Sequence, residues 1–170
     1  MKDAVPQEHK AHAPASVGCF VLTISDSKTS ETDTSGALIR ELLSAGGHRI
    51  TGHAIVKDEP AQVAAVIRSG CAAPSVEAFI LTGGTGITSR DSTYEAIEAL
   101  LDKRLAGFGE LFRMLSYQEI GAAAMLSRAQ GGVVQGRVLF SLPGSPNACR
   151  LALEKLIIPE LPHLIREVKR

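Results

Sequence analysis

The run EAFILTGGTGITSRDST, residues 77–93, decides how the chain is read. Its first six residues, 77–82, centre on an apolar, β-prone run too short for a helix, which is the mark of a buried strand. The strand passes straight into Gly83-Gly84-Thr85-Gly86. Glycine there lets the backbone turn sharply or approach another group closely. Asp91 follows just beyond, where a helical pattern begins. Strand, glycine turn and helix form the repeating unit of an α/β sheet, whose ligands sit in the crevice beyond the strand ends.

The same order recurs on either side. GCFVLTIS (18–25) reads as a first strand and leads into the polar stretch SDSKTSETDTSG. A helix follows with Leu38, Ile39, Leu42 and Leu43 at helical spacing, stopped by Gly46-Gly47. RITGHAIV (49–56) is a second strand, and Pro60 fits the first position of a helix carrying Val63, Val66 and Ile67. Gly70 and Pro74 are expected to end that region. After Asp91 a helix is expected to about residue 103, with Tyr94, Ile97 and Leu101 on one face. Residues 107–121 place Phe108, Leu111, Phe112 and Leu115 at amphipathic helical spacing. RVLFSLPGSP (137–146) is a fourth strong strand. Ser145 then suits an N-cap and Pro146 the first turn of a helix to about residue 157, with a last short helix after Pro159.

Alternation throughout predicts an α/β fold: a three-layer sandwich, its mostly parallel sheet covered by helices on both faces. Residues 1–16, with charges and prolines but no apolar segment, read as a flexible arm whose His9 and His12 are solvated; 17–170 read as a single domain.

The chain of 170 residues can bury a good core, roughly 70% of its unfolded surface. Lys+Arg and Asp+Glu both number 18. That balance argues against a general nucleic-acid binder, but a neutral protein can still bind a small anion in a loop. No apolar run approaches the roughly 20 residues that span a bilayer, so no membrane partner is expected. Three separated cysteines without a CxxC pair point to a reduced, cytoplasmic setting.

Four loops are expected on one edge of the sheet. They carry Ser25, Asp26, Asp33, Ser35 and Gly36; Asp58; Gly83, Gly84, Thr85, Gly86 and Asp91; and Pro143, Gly144 and Ser145. Glycine turns beside helix N-termini bind phosphate through backbone N–H groups and the helix dipole. Carboxylates beside phosphate fit Mg²⁺, which takes one or two carboxylates together with phosphate oxygens. The residues alone therefore point to a Mg²⁺–nucleotide or phosphorylated-ligand site. Each also has a plainer reading. GGTG can be only a tight turn, since it is neither a Walker A motif nor a GxGxxG fingerprint. Asp58 can be a helix cap, Asp33 a turn residue, and Ser92 with Glu95 a capping box. His48 and His53 lack ligand spacing and read as structural or surface residues. The Phe108/Phe112/Leu115 stripe reads as core or subunit interface.

Taken together, LTGGTGITSRDST (81–93), GFGELFRMLS (107–116), AMLSRA (124–129) and LPGSPNAC (142–149) resemble the MogA/MoaB family of molybdenum cofactor biosynthesis, in its MoaB branch. The similarity covers roughly residues 18–165. It implies an enzyme, a molybdopterin adenylyltransferase: it binds molybdopterin and transfers AMP from Mg²⁺–ATP to the terminal phosphate, releasing pyrophosphate. The alternative is a non-catalytic molybdopterin-binding member. The family's two acidic positions match Asp58 and Asp91, which the resemblance makes catalytic and Mg²⁺-holding. Gly83, Gly84, Thr85 and Gly86 would hold phosphate, and Pro143, Gly144 and Ser145 would form part of the nucleotide or pterin pocket. Ser25, Asp26, Asp33, Ser35 and Gly36 would close the site. The resemblance also implies a homotrimer or a hexamer built as a dimer of trimers. One departure stands out: family members often read RDVTP where this chain reads RDSTY, so Tyr94 replaces a proline.

Overall fold

The structure, a computed structural model, describes residues 13–89 and 91–170. Residues 1–12 of the expected arm, with His9 and His12, lie outside the described residues, as does Arg90. The sheet is built on β1 (Gly18–Ile24), β2 (Arg49–Val56), β3 (Ala78–Gly83) and β6 (Arg137–Leu142), all parallel. Two further strands, β4 (Lys103–Arg104) and β5 (Gln130–Val134), extend one side antiparallel, in the order β2-β1-β3-β6-β5-β4. Side chains alternate across the pleat. Val21, Ile80 and Phe140 stand in register and pack on one face. That face is covered by α1 (Thr34–Ala45), α4 (Ala106–Ile120) and a C-terminal helix of two parts, α5 (Pro146–Ala152) and α6 (Ile158–Val168). Leu22, Leu81 and Leu139 pack on the other face, beneath α2 (Pro60–Ala72) and α3 (Thr93–Leu100). These are the three layers the alternation predicts.

The departures have local causes. Strands β4 and β5 escape the pattern because QGGVV is short and glycine-rich and KR has no apolar residue at all. The β5–β6 hairpin turns on Gln135 and Gly136, both at positive φ (45° and 72°), as a tight two-residue hairpin needs. Since β4 begins at Lys103, α3 stops at Leu100, earlier than expected. Gly70 does not end α2, which runs on to Ala72; a Cβ at Gly70 would lie 2.6 Å from the Phe79 ring, so the glycine admits the sheet's aromatic. The last helix expected at Pro159 is α6, which carries that proline in its first turn. The chain passes from α5 to α6 through one π-helical turn, Leu153–Ile157, in which the Ile158 N–H reaches back to the Leu153 carbonyl. Widening the turn accommodates a proline, which lacks the N–H for the regular ladder and crowds the preceding turn.

At the strand starts, Glu77 binds three elements together. Its carboxylate accepts the Gly18 N–H (2.8 Å) and pairs with Arg49 of β2 (3.5 Å) and with Lys169 beyond α6. Burial alone would raise its pKa, but the Lys169 and Gly18 hydrogen bonds and the two cations together hold it below the ordinary carboxylate value. A depressed folded pKa gives stability that is present above the unfolded pKa and is lost as the pH falls through the folded one. Glu77→Gln should therefore cost about 1 kcal/mol at pH 7. The difference from wild type should begin to narrow as the pH falls below about 4.3, the unfolded value of Glu, and close only below the depressed folded one. Urea unfolding at pH 7 and at falling pH checks both halves.

Candidate functional site

The strands β2, β1, β3 and β6 end on one edge, and the loops that follow lead into α1, α2, α3 and α5. Glycine makes the convergence possible. Gly83 has φ +94°, and a Cβ on it would lie 2.1 Å from the Ile24 carbonyl oxygen at the end of β1. Gly84 has φ +66°, and its missing Cβ would meet Thr93 at 2.9 Å. A Cβ on Gly144, in the loop after β6, would come within 3.6 Å of the Gly83 Cα. Gly86 is different: its φ is not positive, but a Cβ there would lie 2.3 Å from the Asp91 carboxylate, which rests over it. Asp91 accepts the Thr88 N–H and hydroxyl, both at 2.7 Å, and so closes the turn between the glycines and α3.

The remaining acids have separate roles. Asp33 is buried; it caps α1 through the Gly36 N–H (2.9 Å), accepts the Thr23 hydroxyl (2.6 Å) and pairs with His53 Nε2 (3.2 Å). Gly36 must be glycine because a Cβ would lie 2.2 Å from Asp33 Oδ2, and the Ser35 hydroxyl donates to the Gly144 carbonyl at 2.8 Å. In this structure Asp33, Ser35 and Gly36 are tied into the chain itself. Their polar groups are spent on holding α1 to the sheet and to the Gly144 loop. Ser25 braces its own loop by accepting the Ser27 and Lys28 N–H groups, each at 3.3 Å. Asp58 is not a helix cap; Glu59 occupies that position. The Asp58 N–H donates to the Asp26 carboxylate at 3.2 Å, which brings the loops after β1 and β2 together. Asp58 Oδ1 is buried and has no hydrogen-bond partner among the described residues.

The Pro143–Ser145 loop is fixed from three sides. The Thr82 hydroxyl and the Cys149 thiol donate to the Pro143 carbonyl at 3.0 and 3.4 Å, and Ser35 holds the Gly144 carbonyl. Burial drives the Cys149 thiol pKa up to about 11, so the group stays a neutral donor. Ser145 caps α5 through the Ala148 N–H (3.2 Å).

Sequence reasoning gave Arg128 no role at this edge. The structure puts it behind the glycine loop: Nε donates to the Thr85 carbonyl (3.2 Å), Nη2 to the Gly86 carbonyl and Nη1 to Glu95. Its guanidinium lies 4.4 Å from the centroid of the Tyr94 ring. The Arg128 hydrogen bond holds the Glu95 pKa below its usual value, and Ser92, the N-cap of α3, makes no side-chain cap bond, so no capping box forms. The one available signal was AMLSRA itself, an arginine just before a glycine-rich strand.

For a metal, no group of three or more His, Cys, Asp or Glu side chains in ligating arrangement occurs among the described residues. Asp58 and Asp26, with one buried unpartnered carboxylate oxygen between them, suit a cation that takes its other ligands from phosphate and water. Cavities of about 200 Å³ (Tyr94, Arg104, Arg113, Gln130) and about 440 Å³ (Phe108, Phe140, Leu156, Leu164) lie away from these acids and from the Pro143–Ser145 loop.

Known proteins share this fold. Residues 20–163 match the family described as "Probable molybdopterin binding domain". The chain is 52% identical over 163 residues to molybdenum cofactor biosynthesis protein B of Halalkalibacterium halodurans, covering 95% of this chain and 96% of that one. It is likewise 52% identical over 165 residues to the protein of that name from Bacillus subtilis, covering 96% and 97%. Its backbone matches a crystal structure of a molybdenum cofactor biosynthesis protein B with a TM-score of 0.90, at 52% identity over 93% of this chain and 99% of that one. The tungsten cofactor synthesizing protein MoaB from Pyrococcus furiosus matches with a TM-score of 0.82, at 40% identity over 93% and 100%.

The two kinds of glycine should respond differently to alanine. Gly83→Ala should destabilise by roughly 2–3 kcal/mol, because φ and the Ile24 carbonyl both oppose a side chain. Gly86→Ala, exposed and at ordinary φ, should cost under about 1 kcal/mol. It should instead displace Asp91, seen as faster hydrogen exchange at the Thr88 amide.

Proposed function

The chain belongs to the MogA/MoaB family of molybdenum cofactor biosynthesis proteins, and from that premise we propose that it is a molybdopterin adenylyltransferase. In this reading a terminal phosphate oxygen of molybdopterin attacks the α-phosphorus of ATP. The bond to the bridging oxygen breaks, AMP is joined to the pterin phosphate, and pyrophosphate leaves.

The observation that carries the proposal is the Asp58 carboxylate, one oxygen of which is buried beside Asp26 with no partner among the described residues. A buried charged acceptor without a partner is costly, and a cation would remove the cost. Simple capture of an anionic pterin would not call for such a group. Asp58 and Asp91 are the residues assigned to Mg²⁺, with Asp26 supporting Asp58. When bound, Mg²⁺ would neutralise phosphate charge and favour departure of pyrophosphate. The protein itself positions the reactants: the Gly83–Gly86 loop supplies backbone N–H groups to phosphate, and the Pro143–Ser145 loop borders the pocket. Catalysis of this kind is mainly orientation and electrostatic stabilisation. The three cysteines are free and buried, and no helix is long and apolar enough to cross a membrane among the described residues. The free thiols support the cytoplasmic setting proposed.

A homotrimer, alone or paired into a hexamer, belongs to the same proposal. Leu111, Met114, Tyr117 and Ile120 of α4 are exposed, and so are Met125 and Leu126 in the 3₁₀ turn after it, Met125 at 80% and Tyr117 at 65%. So much adjacent apolar surface suits a subunit contact.

The purified protein given ATP, Mg²⁺ and molybdopterin should form adenylylated pterin and pyrophosphate. Asp58→Asn and Asp91→Asn should each lower the rate by about 10²-fold, within the range for losing one electrostatic contact in an active site. Pterin binding without AMP transfer in wild type would instead favour the non-catalytic member. Sedimentation should give three or six subunits, and Met125→Glu together with Tyr117→Glu should release monomers.

A further inference from the structure

We infer that Arg128 is a positioning residue that sets the direction of the Gly86 and Ile87 N–H groups, so that the glycine loop can receive a phosphate. The inference rests on the adenylyltransferase reading for the ligand's identity, but not for its geometry. In a trans peptide the carbonyl of one residue and the N–H of the next point in opposite directions. The chain has no cis peptide bonds among the described residues. Arg128 holds the Thr85 carbonyl with Nε and the Gly86 carbonyl with Nη2. The N–H groups of Gly86 and Ile87 are thereby aimed away from Arg128, and neither has an acceptor among the described residues.

Three of the five guanidinium N–H donors are already taken within the chain. Nε and Nη2 are committed to the loop, Nη1 is committed to Glu95, and the Tyr94 ring lies against the group. Its side chain is 23% exposed. Only a planar fork can hold two successive carbonyls and a carboxylate at once; a lysine ammonium keeps the charge but not the geometry. Tyr94 and Glu95 therefore act through Arg128. Tyr94, which replaces the family's usual proline, supplies the face on which the guanidinium rests. Gln130 fixes that tyrosine's backbone by donating to its carbonyl at 2.9 Å.

The test follows the Gly86 and Ile87 amides in ¹⁵N-labelled protein while Mg²⁺–ATP and, in a separate arm, molybdopterin are titrated. Wild type should shift both amides with at least one ligand, and the arm that responds identifies which phosphate the loop holds. Arg128→Lys and Arg128→Ala should weaken the responding ligand at least tenfold, with the fold intact by circular dichroism. In steady state they should raise KM for that ligand more than they lower kcat. If Arg128→Ala does not fold, Arg128→Lys and Tyr94→Leu carry the test. Binding within twofold of wild type in a folded Arg128→Lys protein would overturn the inference. So would the absence of any shift at Gly86 and Ile87 in wild type with both ligands. If wild type shows the shifts but makes no adenylylated pterin, the positioning role stands and the proposed reaction fails.

Discussion

The architecture of the edge depends on one close approach, that of the Gly83 backbone to the carbonyl of Ile24. Parallel strands β1 and β3 are neighbours in the sheet, with Ile24 opposite Gly83 in their last paired rung. Any side chain at Gly83 would overlap that carbonyl, because a Cβ would lie 2.1 Å from its oxygen. Glycine at this rung lets β3 leave the sheet with positive φ while still paired to β1. The turn then brings Gly84 against Thr93 at the start of α3, and the Gly144 loop against Gly83. Without this contact the third and fourth loops could not meet the first, and their polar groups would be scattered along the sheet.

Legibility in the sequence followed the strength of the local signal. Four parallel strands and the helices around them were readable because β1, β3 and β6 are largely apolar runs and several helices have a stop or start residue: Gly46 after α1, Pro60 in α2, Pro146 in α5. The antiparallel pair was not readable. β4 has two charged residues and β5 two glycines, so pairing with a neighbour, not side-chain pattern, makes them strands. Gly70 misled by less than one turn. It is a helix breaker by propensity, yet it stays inside α2 because its missing side chain admits the Phe79 ring, a contact a local reading does not contain. At the site, the loops and acids were legible because glycine and aspartate are conspicuous there. Which acid faces inward was not: Asp33 is fixed by Thr23 and His53, the latter 20 residues away on β2. Arg128 was equally hidden, since its partners lie more than 30 residues off.

The four aspartates of the edge can be ranked by what each already satisfies. Asp33 is nearly inaccessible, and both its oxygens carry hydrogen bonds, so its burial is compensated and its charge is not available to a ligand. Asp91 commits one oxygen to Thr88 and holds its own turn, which makes it a shaping residue before it is anything else. Asp26 spends one oxygen on the Asp58 N–H. Asp58 alone of the four has a buried oxygen with nothing to meet it among the described residues. Leaving a charged acceptor buried and unmet costs more than the 1–3 kcal/mol of a neutral group. In the proposed reading, a cation bound from outside the chain would meet that oxygen. The order of the acids follows from that: Asp33 builds the edge, Asp91 shapes the loop, Asp26 orients its neighbour, and Asp58 is the group on which the proposed cation would have the most to act.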